Sequence, residues 1–154
     1  MFDDEYWMRF AIREAEKAWN EKEVPIGAVI VYENKIIARG YNRTEVLQDA
    51  TAHAEIQAIT AASEYLESRR LLNTTLYVTL EPCIMCAGAI SLARIPKIVY
   101  GARDPKGGAC NSLYTILSDE RLNHQAEVIE GVLSEEAGKI LSSFFKLIRT
   151  KNGN

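Results

Sequence analysis

Residues 75–101 read TLYVTLEPCIMCAGAISLARIPKIVYG, and the way this stretch folds decides the rest. Thr75 to Leu80, rich in β-branched and aromatic residues, predicts a short strand that stops at Glu81-Pro82. Proline suits the opening of a helix, so Pro82 is expected to start a small Ala-rich helix from Cys83 to Arg94. Lys97 to Gly101 supplies the next strand. Strands joined through a helix run parallel, which makes the stretch one strand-helix-strand unit. Two cysteines stand where its first strand gives way to its helix.

The flanks extend the pattern. Tyr6, Trp7, Phe10, Ala11, Ala15, Ala18 and Trp19 recur at helical spacing after the possible caps Asp3 and Asp4. They predict an amphipathic helix from Asp4 to about Glu21, with its aromatic stripe, Trp7 and Trp19 included, in the core. Ile26 to Tyr32 and Lys35 to Tyr41 are β-rich runs about Glu33-Asn34, a short hairpin. Thr51 to about Leu66 reads as a helix with an apolar side formed by Ala54, Ile56, Ala58, Ile59 and Ala62. Downstream, DPKGGACNS (104–112) is a loop, Leu113 to Leu117 a single helical turn, and Ala126 to Glu130 a strand. Ser134 caps a terminal helix that runs to about Ile148. The order implies an α/β fold of three layers, a central five-stranded mixed sheet with helices on both faces.

A chain of 154 residues suits one domain, spanning 1–154, and 47% hydrophobic with 25% charged residues is ordinary for a globular protein. The longest apolar runs, such as Ile26 to Tyr32, are too short to cross a bilayer, and Met1 opens into an acidic amphipathic helix, so a cytoplasmic protein without a membrane partner is expected. The net charge of −3 argues mildly against a nucleic-acid partner. Its distribution softens that: Lys139, Lys146, Arg149 and Lys151 have no acid among them, and Arg94, Lys97, Arg103 and Lys106 face only Asp104. On composition alone both clusters read as solvated surface.

The three cysteines include a Cys-x-x-Cys pair, which suits metal or redox work better than a disulfide framework. His53, Cys83 and Cys86 form a set of good zinc ligands, and residues three apart at a helix start share one face. The positive end of that helix favours the thiolate form that zinc requires. Structural zinc sites are closed by four protein ligands, whereas catalytic ones keep a position for water. Only three obvious ligands occur here. Cys110 sits in a Gly-rich loop without a partner, and His124, ahead of a strand, reads as a hydrogen-bonding structural residue. Glu55 lies two residues from His53, close enough to exchange a proton with a metal-bound water; its plainer role would be a first-turn acid at a helix start.

His53-Ala54-Glu55 together with Pro82-Cys83-Ile84-Met85-Cys86 resembles the signature of the zinc-dependent cytidine and nucleobase deaminases. VPIGAVIV (24–31), YNR (41–43), DATAHAEI (49–56), residues 75–109, Asn123-His124, EGVL (130–133) and FFK (144–146) narrow the likeness to the bacterial tRNA-specific adenosine deaminases over almost the whole chain. That resemblance implies a cytidine-deaminase-like fold, one Zn2+ per subunit, a homodimer, and hydrolytic deamination of the wobble adenosine of a tRNA anticodon stem-loop to inosine. It implies Glu55 as proton carrier and His53, Cys83 and Cys86 as zinc ligands. It places Asn42 on the base, the Ala54 and Cys83 backbone by the reacting centre, and Pro25, Ile26 and Val29 near the pocket wall. Arg103, Asp104, Lys106 and Phe145 fall near the flipped nucleotide and its neighbours, and Arg149 toward the backbone. Ala50, where the family commonly has Pro, and Gly107, where it commonly has Thr, are loop differences remote from zinc chemistry. The end FFKLIRTKNGN is less basic than usual for the family, which bears on tRNA affinity.

Two other readings fit the same residues. A free-base deaminase acting on guanine or cytosine would carry almost the same zinc motif; GARDPKGGA (101–109) and the pair Phe144-Phe145 before basic residues favour RNA, since aromatic faces stack on splayed bases and cations meet phosphates. A zinc-stabilised binding module without turnover would have Cys110 or His124 close the tetrahedron.

Overall fold

The computed structural model describes residues 2–152; Met1, Gly153 and Asn154, the last two ending the basic tail, lie outside the described residues. Helix α1 (Asp4–Asn20) is followed by strands β1 (Gly27–Tyr32) and β2 (Lys35–Tyr41), a short helix α2 (Thr44–Leu47), α3 (Ala54–Leu66), β3 (Thr74–Leu80), α4 (Ile84–Ala93), β4 (Lys97–Ala102), a 3₁₀ turn (Ile116–Ser118), β5 (Glu127–Ile129) and α5 (Ser134–Lys151). The strands form one sheet in the order β2-β1-β3-β4-β5. β1 is antiparallel to both β2 and β3, while β3, β4 and β5 are parallel. The mixed five-stranded sheet expected from the sequence is what forms.

Period-two alternation sorts the core into two halves. Ala28 and Ile30 of β1, Leu76 and Val78 of β3, and Ile98 and Tyr100 of β4 pack with the alanines of α3 and α4. The intervening Val29, Tyr77 and Val99 pack on the other face against Trp7, Met8 and Ala11 of α1. Small residues let the helices lie close: a Cβ built on Gly40 of β2 would sit 2.3 Å from the Ala54 carbonyl oxygen, and one on Gly27 2.1 Å from that of Ala11. Helix α3 is therefore seated directly on β2.

Several ends differ from expectation for local reasons. Asp3 caps α1, accepting a hydrogen bond from the Tyr6 amide at 2.9 Å. Helix α3 starts at Ala54, not Thr51, because Asp49 draws the Thr51 amide and hydroxyl into a turn at 2.8 and 2.7 Å. Pro82 stands outside α4, whose N-cap is Cys83 in extended conformation. Ser134 does not cap α5. Its cap is Leu133 in the left-handed region, and Glu135 and Glu136 supply first-turn charge. Trp7 is buried, but Trp19 is half-exposed, lining a cleft of about 480 Å³ between α1 and α5 and meeting Phe144 edge-on. It is a cleft wall, not core. No helix among the described residues is long and apolar enough to cross a membrane.

Candidate active site

Because β1 runs opposite to its neighbours, the start of β1 and the ends of β2, β3 and β4 lie at one edge of the sheet. Residues that leave these ends converge there: Val24 to Ile26, Asn42, Glu81 to Cys83, and Arg103 to Lys106. Helices α3 and α4 both begin at this edge, with His53 as N-cap of one and Cys83 as N-cap of the other. Neither cap residue uses its side chain on its own helix. Both side chains are free for another task, beside two positive helix ends.

His53 Nδ1 lies 3.6 Å from the sulfur of Cys83 and 3.6 Å from that of Cys86, and the three ligand atoms are all within 4.8 Å of one another. A tetrahedral centre with the usual zinc–nitrogen and zinc–sulfur bond lengths separates such atoms by about 3.6 Å, so the donor set has both the chemistry and the spacing of a metal site. The Cys86 hydrogen bond and His53 hold the Cys83 thiol far below its ordinary range, while that same bond to Cys83, with burial, pushes Cys86 up. Among the described residues no fourth His, Cys or acid joins the group. His124 is engaged elsewhere, its Nε2 2.8 Å from the Ile95 carbonyl oxygen, and Cys110 is buried in the apolar core.

Glu55, in the first turn of α3, is 4% exposed and in reach of the Cys86 sulfur. Burial pushes its carboxyl up to about 7. A carboxyl so placed can hold or release a proton near neutrality. Beside it, Val24, Ile26, Asn42, Thr44, His53 and Ala54 line a pocket of about 220 Å³. Asn42 is fixed by its own neighbours: its amide donates to the Val24 carbonyl at 3.3 Å, and its side-chain oxygen accepts from the Thr44 amide at 3.4 Å. Across Val24 and Ile26 lies a second, wider cleft of about 730 Å³, lined also by Arg103, Asp104, Lys106, Phe145 and Arg149. Phe145 is 43% exposed there, whereas Phe144 is core.

Val29 and Pro25, both expected near the pocket wall, have different surroundings. Val29 is fully buried on the α1 face, three residues into a strand whose alternation turns it away from α3; it backs the sheet and lines no cleft. Pro25 is buried between the wall residues Val24 and Ile26. Two of the four cations of the first basic cluster are paired, Arg103 with Glu130 at 3.0 Å and Lys97 with Asp4 at 3.8 Å. Lys139, Lys146, Arg149 and Lys151 form no ion pair among the described residues.

Two buried acids at this edge carry no sign of their role in the sequence. Glu23, 1% exposed, accepts the Glu45 and Val46 amides at 3.1 and 2.7 Å, fixing the segment that carries Asn42 and Thr44. Glu81, 2% exposed, accepts hydrogen bonds from Asp104, Cys110, Asn111 and Ser112. Burial alone would raise the Glu81 carboxyl, but these bonds together bring it down to about 2. Neither has a spacing signature, since their partners, backbone amides and the Ser112 hydroxyl, are 22 to 31 residues away.

Comparison with known proteins narrows the chemistry. Residues 2–149 match the model of the MafB19-like deaminases. The chain is 54% identical, over 98% of its length and 94% of the other's, to a tRNA-specific adenosine deaminase of Bacillus subtilis. A chain solved in a study of A-to-I editing by tRNA:A34 deaminases at the wobble position superposes with a TM-score of 0.85 at 49% identity, covering 88% of this chain and 99% of that one. A guanine deaminase from B. subtilis superposes less well, with a TM-score of 0.63 at 38% identity over 66% of each chain. With three metal-type ligands, a buried carboxylate and a base-sized pocket at one sheet edge, the chain belongs to the MafB19-like deaminases and, among them, to the tRNA-specific adenosine deaminases.

Proposed function

We propose that this protein hydrolyses the exocyclic amine of adenosine to give inosine and ammonia at the wobble position of a tRNA anticodon loop. The observation that carries the reading is the open three-ligand group with Glu55 buried against it. Zinc held by His53, Cys83 and Cys86, one per chain, would supply a water acidified toward neutrality as the nucleophile for carbon 6. Glu55 accepts the proton that water loses, hands it to the purine ring nitrogen, and serves again when ammonia departs. Asn42, held from both sides by backbone, presents its remaining hydrogen-bonding capacity to the base. The Ala54 backbone, with Ile26 and Val24, walls the pocket against water.

The wider cleft suits the nucleotides on either side. Phe145 offers a stacking face, while Arg149 and Lys106 meet phosphate and Arg103-Asp104 edge the flipped nucleotide. A tRNA substrate would place the enzyme in the cytoplasm. A homodimer is part of the reading: Ile84 and Leu92 on α4 are 57% and 75% exposed with open space at Gly88 between them, an apolar stripe one side of which small residues leave low. The test is rate against substrate. Inosine should form in an anticodon stem-loop with adenosine at the wobble position, and free guanine and cytosine should stay intact; turnover of either base with an untouched stem-loop would replace this function by free-base deamination.

A further inference from the structure

We propose that Glu81 is a positioning residue for the RNA-facing rim of the site, holding the loop 104–112 against the strand end that delivers Cys83 and Cys86. The inference rests on the proposed function for its consequence, but its geometry stands apart. Glu81 is the last residue before Pro82-Cys83, and its carboxylate gathers both ends of the loop. Oε1 accepts the Asp104 amide at 3.0 Å and the Ser112 hydroxyl at 2.5 Å; Oε2 accepts the amides of Cys110, Asn111 and Ser112 at 3.1, 2.8 and 2.9 Å. A carboxylate has about four lone-pair positions, so these donors saturate it. Among the described residues no cation pairs with it, and its charge is met by the loop's own N–H groups.

The same loop touches the metal-bearing segment a second time. The Ala109 amide donates to the Pro82 carbonyl at 2.8 Å, and Cys83 bridges Gly108. Gly108 passes so close that a Cβ there would lie 2.3 Å from the Glu81 carboxyl carbon. Arg103, Asp104 and Lys106, which line the wider cleft, therefore take their place from the residue next to Pro82-Cys83. Any loosening of Glu81 shifts the rim relative to the reacting centre while leaving His53, Cys83 and Cys86 on their own elements.

The test uses the zinc-loaded protein and three variants, E81Q, G108A and S112A. In E81Q the amide nitrogen faces donors and repels them; G108A displaces the loop with the carboxylate intact; S112A removes its hydroxyl donor only. Metal content should stay at one per chain in all three. Amide hydrogen exchange at Asp104, Cys110 and Asn111 should speed up about 100-fold in E81Q and G108A with β3 and β4 still protected, and less in S112A. The KM for an anticodon stem-loop should rise about 10-fold with kcat changed far less. Unchanged exchange in the loop, or a fall in kcat at constant KM that tracks loss of folded protein, would overturn the proposal. If E81Q does not fold, G108A decides by the same readings. A wild-type protein inactive on the stem-loop would sink the functional reading, and exchange would still decide whether Glu81 holds the rim.

Discussion

At Glu55 the proposed function requires a carboxylate able to take a proton in a place almost without water. Burial, only partly offset by a backbone hydrogen bond and by His53, pushes its carboxyl up to about 7, and a divalent cation alongside would favour the ionised form and pull in the opposite direction. Since only the ionised form accepts a proton, kcat/KM should fall as pH drops through a midpoint below 7; a pH–rate profile with its acid midpoint above 7 would show that Glu55 is not beside the metal. The grouping of His53, Cys83 and Cys86, with Glu55 beside it, was legible because these side chains stand at short, recognisable spacings. Val29 was misplaced because a sequence does not say which face of a strand meets the pocket. Glu23 and Glu81 were invisible for a different reason: an acid that accepts backbone amides from a distant loop leaves no pattern in its own neighbourhood.

The elements were readable where periodicity was strong, as in α1 and the strand-helix-strand unit from β3 to β4. Their ends were less so. Cys83 as the cap of α4, Leu133 as the cap of α5 and the turn held by Asp49 depend on backbone geometry that residue preference only biases. The short helix α2 was missed altogether, since four residues carry no measurable period. Seating of α3 on β2 is the element-scale feature that matters to chemistry, because it fixes His53 and Glu55. Gly40→Ala should push the Ala54 turn outward, costing about 1–3 kcal/mol of stability and lowering metal occupancy. Thermal melting with metal analysis checks this, and full occupancy at unchanged stability would refute the seating.

Over the whole molecule, the acidic total of −3 concealed a usable surface. Arg94, Lys97, Arg103 and Lys106 read as an excess of positive charge along the chain, yet folding brings Asp4 and Glu130 to two of them. The cations of α5 stay unpaired among the described residues. Arg149→Ala should weaken stem-loop binding and reduce the slope of log affinity against log salt by about 1; an unaltered slope in a salt titration would remove Arg149 from the RNA face. On the opposite side, Leu92→Asp should convert a dimer to monomers in sedimentation, and a wild type that sediments only as a monomer would withdraw the α4 interface. The layered sheet was legible because strand-helix alternation leaves few topologies open, whereas charge pairing and assembly arise from residues that meet only after folding.

The most direct measurement pairs zinc content with inosine yield on one stem-loop substrate, for the wild type and Glu55→Ala. One zinc in both proteins, with inosine formation reduced by at least about 100-fold in the variant, is expected. Undiminished inosine in the variant would contradict proton transfer by Glu55, and lost zinc would make Glu55 a ligand and close the site to water.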